Sequence, residues 1–510
     1  SLYRNWLNHK GRQLKVSFLR KTGDFAKAEA LINDSLAMDK FNMGCRFESY
    51  LIHTLQGNTE AAAATKAEMK ALMRGAVHSY LEYAIDYASA GMYEEAAQLL
   101  SFVTEENEAT YPMVYYALGY FASKMGKKDE ALNLYKKAET MCPDYCFPNK
   151  LEEVLMLNDA MSLNPEGAKA PYYLGNFHYA ARIYDEAVAC WEKSASIDDT
   201  YPTVLRNLSL AYYNKQHNPQ KALATLEKAY NLDTTDARIL MELDQLYKKL
   251  RYPHRQRLDF LEAHADVVEQ RDDLCIERIT LYNQLGEYQK AYDLINSRKF
   301  HPWEGGEGKV TSQYLLCRVE LAKIAIREGR FADAVRLLKE TEKYPDNLGE
   351  GKLSMAEEND IHYWMGCAYE GLGEEALAKE YFTKATKGSA EPAIAFFYND
   401  QQPDKIFYQG LAWRKLGEED KARSRFNRLI KHGEKHLFDK VKIDYFAVSL
   451  PDLLIWDDDL NVRNQIHCNL VMGMGYLGLG DKEQARKFLS EVVRLDINHQ
   501  AGKQLLEMCD

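Results

Sequence analysis

Several features that define common classes of protein are scarce in this 510-residue chain. No run of 18 apolar residues occurs, so the sequence predicts no membrane-spanning helix. The formal net charge is −11, which argues against nucleic acid as a partner, because a basic face is expected of a nucleic-acid-binding protein. Only 13 prolines interrupt the chain, and 34 tyrosines and 16 methionines suit packed helices. We therefore expect an all-α protein with neither nucleic acid nor membrane as its partner.

Cysteine is also sparse, with nine residues scattered along the chain. Only Cys142 and Cys146 lie close together, in the sequence CPDYC, where they could form a disulfide or bind a metal. No second pair of cysteines or histidines lies nearby to complete a zinc site. We predict no metal and no cofactor, and a reducing, cytoplasmic setting for the remaining thiols.

One stretch, from Tyr111 to Pro143, sets a pattern that recurs throughout the chain. It predicts two helices joined by a tight turn at Gly126, and Pro143 ends the second helix. The residues that carry the pattern are Leu118, Gly119, Ala131, Tyr135, Ala138 and Pro143. This unit resembles the tetratricopeptide repeat (TPR), a helix pair of 34 residues. The resemblance implies a superhelical solenoid of stacked helix pairs.

The small residue in the second helix of each pair marks where each repeat lies along the chain. It recurs at Ala28, Ala62, Ala96, Ala131, Ala187, Ala222, Arg257, Ala291, Ala334, Ala378, Ala422 and Ala485. These positions predict about twelve helix pairs, of which the pairs at Ala62 and Arg257 depart from the pattern. Intervals near 34 residues indicate bare repeats, and the larger intervals locate insertions, most of them in the C-terminal half.

The first long interval predicts an additional helix and a division of the chain. Apolar residues at helical spacing between Phe147 and Gly167 indicate one long helix. We divide the chain into an N-terminal TPR segment (1–142), a connecting helix (143–167) and a C-terminal TPR segment with long loops (168–510). We also expect Leu2–Arg20 to be helical, so the chain is expected to be a fragment of a longer parent. A signal peptide on that parent would place the protein in the periplasm instead of the cytoplasm.

Two insertions in neighbouring repeats, FHPWEGGEGKV (300–310) and YPDNLGEGKL (344–353), share the sequence Gly-Glu-Gly-Lys. Insertions of successive repeats leave a solenoid along one edge, so these loops are expected to lie side by side. One interpretation is a composite binding site, and the other is a pair of loops locked together by salt bridges. The candidate binding residues of this loop edge are His301, Trp303, Glu304, Glu307, Lys309, Asn347, Glu350 and Lys352.

The last insertion, 440–461, places Trp456 before three aspartates. It fails as a calcium loop because it lacks the glycine at the sixth position, so we predict a solvated acidic turn. His432 and His436 are four residues apart, but no third ligand lies nearby. We interpret them as the end of a surface helix.

In TPR arrays the first helix of each pair lines the concave face, which gives a second candidate site. Its residues are Tyr116, Tyr120, Tyr172, Asn176, Tyr179, Arg206, Asn207, Tyr213, Asn214 and Arg238. Tyrosines with amides suit an extended peptide or a glycan, although some tyrosines could instead pack between helices. Asn176, Asn207 and Arg238 match the dicarboxylate clamp of chaperone-binding TPRs. Tyr172 and Glu242 replace its two cations, so binding of a chaperone tail is not expected.

A narrower resemblance rests on the two loops, on DYFAVSLPDLL and on PNKLEEVLMLNDAMSLNPEGAKAPYYLGN. Together they are similar to the C-terminal TPR region of bacterial DUF5107-type proteins. That resemblance implies a β-rich, carbohydrate-related N-terminal domain outside this chain.

The favoured function is a non-enzymatic scaffold that binds a protein or peptide partner, including its own N-terminal domain. The alternative is an accessory part of a carbohydrate-active or sugar-binding protein. In that case Glu304 and Glu350 would serve acid–base chemistry.

Overall fold

The computed structural model describes residues 2–104, 111–303, 305–354, 356–393, 402–442 and 455–509. Across these ranges the chain is all-α, with no β-strand. It divides into two compact units, Ser1–Ala211 and Tyr212–Asp510. Each unit is a solenoid of helix pairs, and the expected fold class is confirmed. The proposed division at residues 142 and 167 stays a prediction.

The helices follow each other in pairs, with three additional helices. The first unit contains α1 His9–Lys21, α2 Phe25–Met38, α3 Met43–Leu55, α4 Thr59–Met73, α5 Val77–Ser89, α6 Tyr93–Ser101, α7 Met113–Lys124, α8 Lys128–Glu139, α9 Leu151–Leu163, α10 Lys169–Ala180 and α11 Tyr184–Ile197, and α12 Pro202–Asn214 begins there. The second unit contains α13 Pro219–Leu232, α14 Ala237–Lys249, α15 His254–Ala263, α16 Ala265–Val268, α17 Asp272–Gln284, α18 Tyr288–Ser297, α19 Lys309–Arg327, α20 Phe331–Lys339, a 3₁₀ turn Asp346–Leu348, α21 Asn359–Gly371, α22 Glu375–Ala385, α23 Pro403–Lys415, α24 Glu419–His436, α25 Leu460–Leu479, α26 Lys482–Leu495 and α27 Gln500–Glu507.

The stretch Tyr111–Pro143 forms the predicted pair, α7 and α8, around Gly126, whose positive φ of 79° suits glycine. Gly119 lies where the two helices cross. A Cβ there would come within 2.5 Å of the Tyr135 ring, so only glycine allows the ring this close. Tyr135 fills the crossing and donates a hydrogen bond to Asp159 of α9 at 2.6 Å. The pattern of small and aromatic residues therefore sets how closely paired helices approach.

All twelve predicted positions of the second helices are buried. The eleven alanines are at most 7% exposed, and Arg257 is 1% exposed. The Arg257 guanidinium forms two hydrogen bonds to Asp244 of α14, at 2.7 and 3.0 Å, and one to Glu277 of α17 at 2.7 Å. Lys248 also pairs with Glu277 at 2.9 Å, so two cations balance two buried carboxylates. A charged residue is tolerated at this crossing because its charge is fully paired.

Two sequence predictions about helix bounds need correction. The first helix begins at His9 rather than Leu2, because the Asn8 side chain caps it by accepting from the Gly11 amide at 2.6 Å. The connecting helix spans Leu151–Leu163, shorter than the predicted 147–167. Its start is fixed by Glu153, whose carboxylate accepts from the Asn149 and Lys150 amides.

In the second unit, the C-terminal helices return onto α14–α19. The Asn498 carbonyl accepts a hydrogen bond from the Gln284 side chain at 2.5 Å, and Lys503 donates to the Gln284 carbonyl at 2.7 Å. The Asn498 side-chain oxygen also lies 3.3 Å from an Arg257 nitrogen. The residues that follow α26 are thus joined to α15 and α17 by specific polar contacts.

The last insertion is described at 440–442 and 455–461, where Asp457, Asp458 and Asp459 are exposed, as predicted for a solvated acidic turn, and the tryptophan before them is buried. Trp456 is only 2% exposed, because its ring is packed against the helices at the start of this unit. Residues 443–454 lie outside the described part of the chain. Among the described helices, none is both long and apolar enough to cross a membrane.

Candidate functional site

The two Gly-Glu-Gly-Lys insertions lie side by side and are joined through their backbones. The Phe300 amide donates to the Asn347 carbonyl at 2.8 Å, and the Gly308 amide donates to the Glu350 carboxylate at 2.9 Å. The Asn347 side-chain amide donates to the Ile295 and Arg298 carbonyls, both at 2.9 Å. We call the surface of segments 298–309 and 344–352 the loop surface.

A small apolar contact lies beneath the loop surface. Phe300 and Leu348 are each 1% exposed, so one side chain from each insertion is buried. Gly349 has a φ of +79°, and a Cβ at this position would come within 2.6 Å of the Phe300 carbonyl oxygen. The two loops therefore approach at a point where only glycine fits.

The loop surface is also anchored to α17. Arg298 pairs with Asp272 at 2.5 Å and with Glu269 at 2.9 Å, and its guanidinium lies over the Phe300 ring. The His301 amide donates to Asp272 at 2.8 Å, while the His301 imidazole stays largely exposed. These contacts fix the backbone of the first insertion and leave the His301 ring available to solvent.

Of the other predicted residues of this edge, Glu307 and Lys309 are exposed and Trp303 is half-buried. The Trp303 indole covers Gly306, where any Cβ would overlap it. Glu304 lies outside the described residues. The surface thus presents one tryptophan edge beside side chains of both charges.

Glu350 and Lys352 contribute mainly to the loops' own structure. Burial raises the pKa of Glu350; the Gly308 amide opposes this shift, and the negative charge of Glu307 adds to it. Lys352 pairs with Glu358 at 2.5 Å and donates to the Glu342 carbonyl at 3.2 Å. The interpretation of loops locked by polar contacts therefore describes these two residues, whereas any binding role belongs to their exposed neighbours.

The predicted concave tyrosines of the first unit are buried or half-buried, and they contact residues outside the predicted set. Tyr116 is fully buried and donates to Glu139 at 2.7 Å, and Tyr172 is 5% exposed beside Tyr201. Tyr120 and Tyr179 are half-buried, in contact with Tyr93 and Trp191 respectively. Burial of Tyr116 and Tyr172 favours packing between helices for these two residues.

The amides of the first unit form a short network. The Asn176 side-chain oxygen accepts from Asn207 at 3.2 Å and from the Trp191 indole at 3.1 Å. Arg206 donates to Asn207 at 3.2 Å. In the second unit, Arg238 pairs with its neighbour Glu242 at 3.1 Å, so part of its charge is already neutralised.

Tyr213 and Asn214, predicted for the concave face, contact the chain itself. Asn214 bonds to the backbone on both sides of Trp456, and the Tyr213 ring lies against the Trp456 ring. The sequence did not predict this partner, because the two segments are more than 200 residues apart.

Cysteine and histidine side chains were the remaining candidates for metal binding. The nine cysteines are free thiols, with Cys142 exposed and Cys146 buried. Burial raises the pKa of Cys146 to about 12, which leaves it a protonated thiol. His436 pairs with Asp439 at 2.6 Å, and no group of three metal-ligating side chains occurs in the described ranges.

An apolar surface at the start of α9 was not predicted from the sequence. Leu151 and Leu155 are 75% and 56% exposed, and Phe147 before them is 63% exposed. The spacing of four between the leucines could have placed them on one face, although their exposure depends on which face of α9 is buried.

Comparison with known families locates tetratricopeptide repeats in both units. One tetratricopeptide repeat family matches residues 114–145 and 360–387. A second tetratricopeptide repeat family matches residues 406–432. The first match is the α7–α8 pair, the stretch from which the repeat pattern was read.

Similar solved structures include MamA, with 20% identity over 36% of this chain and 95% of its own, at a TM-score of 0.19. YrrB, described as a TPR protein with an unusual peptide-binding site, has 18% identity over 41% of this chain and 95% of its own, at 0.19. Pseudomonas aeruginosa pilF has 19% identity over 44% of this chain and 90% of its own, at 0.26. TM-scores this low carry no weight for function. The family matches and the helix pairs together identify tetratricopeptide repeats within this all-α chain.

Proposed function

We propose that this chain is a non-enzymatic TPR scaffold that binds a protein partner through the loop surface. Tetratricopeptide repeats typically mediate protein–protein or peptide binding, and the proposal assigns that role to one edge of the second unit. The half-buried residues of the first unit's concave face, Tyr120, Tyr179 and Arg206, form a secondary contact area.

The observation that carries the proposal is the joined backbone of the two insertions. Long structured loops in compact arrays are usually functional. Here Asn347, Glu350 and Gly349 hold two loops from neighbouring repeats in one arrangement. A preformed surface pays little conformational entropy on binding, which favours affinity.

The chemistry of the loop surface suits a protein partner. Tryptophan is enriched among residues that dominate binding energies, especially where its ring is partly enclosed beforehand. Trp303 is held this way against Gly306, and exposed His301, Glu307 and Lys309 provide a polar rim. A rim with both charge signs selects a partner by complementary pairing.

The resemblance to DUF5107-type proteins suggests one specific partner, the N-terminal domain of the same parent protein. Docking of that domain on the loop surface would unite a binding or catalytic module with the TPR array. A carbohydrate role would then belong to that module.

Site-directed photo-cross-linking tests the proposal. A photoreactive phenylalanine analogue placed at Glu307 should cross-link to a defined partner in cells that express the parent protein. Glu434, equally exposed on α24, is the matched control position. If Glu307 and Glu434 give the same cross-links, or none, the loop surface is not the binding site.

A further inference from the structure

Residues 455–459 of the last insertion lie against the C-terminal end of α12 and against α14. In sequence this segment is Ile-Trp-Asp-Asp-Asp and directly precedes α25. It contacts residues more than 200 positions earlier in the chain, and it does so as a short irregular segment rather than as a helix.

The backbone of this segment is held by one asparagine. The Asn214 side-chain amide donates to the Ile455 carbonyl at 2.8 Å, and its oxygen accepts from the Asp457 amide at 2.8 Å. Asn214 is itself 9% exposed. A side chain that bonds to a carbonyl and an amide flanking one residue recognises backbone, so it can hold any extended peptide in this position.

The residue between these two bonds, Trp456, provides an anchor. Its indole nitrogen donates to the Glu242 carbonyl at 3.1 Å, and its ring meets Tyr213 edge to face with centroids 5.2 Å apart. Its polar atom is therefore satisfied and its apolar body is buried. A tryptophan in such a pocket contributes much of the binding energy of a peptide.

Aspartates of the segment also form ion pairs with lysines at the helix ends. Asp457 lies 3.3 Å from the Lys215 ammonium, and Asp458 lies 3.1 Å from the Lys249 ammonium. Both lysines come from the ends of the two helices that hold the tryptophan. These helices therefore provide a pocket for an aromatic ring, an asparagine that binds peptide backbone, and two lysines for the acidic residues that follow.

We infer that this groove, formed by Tyr213, Asn214, Lys215, Glu242 and Lys249, is a binding site for acidic, tryptophan-containing peptide segments. In the structure the chain's own residues 455–459 occupy it. The contacts involve only four consecutive residues of the segment, so a separate peptide with the same chemistry could make all of them. A tethered ligand has an effective concentration of about millimolar, so the internal segment blocks weaker ligands until it is displaced. This inference is independent of the loop surface, and either can fail alone.

Fluorescence anisotropy with a labelled, blocked Ile-Trp-Asp-Asp-Asp peptide tests the inference. Trp456→Ala should vacate the groove, and the peptide should bind this variant at least about tenfold more tightly than wild type. A peptide with alanine in place of tryptophan, and the double variant Asn214→Ala/Trp456→Ala, should each lose this binding.

The double variant Asp457→Lys/Asp458→Lys should also empty the groove, and it retains Trp456. The new lysines face Lys215 and Lys249, so the segment should be expelled and the acidic peptide should bind in its place. Circular dichroism selects the variants that remain folded. If a folded variant fails to bind the peptide, or binds the alanine peptide equally well, the segment makes only a structural contact with these helices and the inference is wrong.

Discussion

Arg257 lies at the helix crossing where the other eleven pairs have alanine, and it explains why a departure from the repeat pattern can be stable. Its guanidinium joins Asp244 and Glu277, and burial makes each charge depend on the others. Lys248 and Arg257 hold the pKa of Glu277 well below its usual range, despite the opposing effect of its burial.

Arg257→Ala should therefore lower the free energy of unfolding by about 3–5 kcal/mol, because it leaves buried carboxylates without their main cation. Arg255→Ala is the matched control: Arg255 is two residues away, half-exposed and paired with Glu287. It should leave the free energy of unfolding nearly unchanged, because exposed ion pairs contribute little to stability. Urea unfolding of both variants measures the difference, and equal losses would show that the buried network contributes little.

Gly366 repeats, in a later pair, the close approach seen at Gly119. A Cβ at Gly366 would come within 2.6 Å of the Phe382 ring. Alanine gains up to about 1 kcal/mol in helix propensity, but overpacking costs about 1–3 kcal/mol. Gly366→Ala should therefore lower the thermal midpoint. Gly351→Ala, where no atom lies within 4 Å, is the control and should leave it nearly unchanged.

His432 makes stability depend on pH. Burial, aided by the neighbouring His436 and His467, lowers the pKa of His432 from 6.5 to about 4. As the pH falls through this window, the unfolded chain takes up a proton that the folded protein does not, so stability declines. His432→Gln should flatten the fall in thermal midpoint between pH 6.5 and 4. An identical pH profile in the variant would contradict the assignment.

At the scale of elements, the contact between the two insertions depends on Gly349. Gly349→Ala would place a side chain in the left-handed region, at about 1–2 kcal/mol, and against the Phe300 carbonyl. The amides of Phe300 and Gly308 should then exchange with deuterium faster, while α24 exchanges as before. Gly351→Ala again serves as control. Unchanged exchange at both amides would mean that the loops hold their structure separately.

The sequence predicted the helix pairs far better than the insertions. Small and aromatic residues at fixed spacing determine a crossing locally, so positions such as Ala131 and Tyr135 could be assigned without a structure. Trp456 could not, because its burial depends on Asn214 and Glu242, which lie far away in sequence. The exposed aspartates after Trp456 gave no indication that the ring before them is buried.

At the scale of the whole chain, insertion lengths predicted where loops emerge but not which residues they would use for their own packing. The repeat geometry indicated that 300–310 and 344–353 would be neighbours, and the structure brings them together. It also assigns Asn347, Glu350 and Lys352 to structural contacts within the loops. That left His301, Trp303, Glu307 and Lys309 as the residues of the edge most suited to a partner.

The central claim is that the loop surface binds a protein partner, and quantitative affinity capture on Trp303→Ala/Lys309→Ala tests it most directly. The control double variant, Lys343→Ala/Leu353→Ala, removes two exposed residues beside the surface. With circular dichroism unchanged in both, we expect Trp303→Ala/Lys309→Ala to capture at least about tenfold less partner than wild type, whereas the control captures as much as wild type. Equal capture by wild type and both variants would contradict the claim.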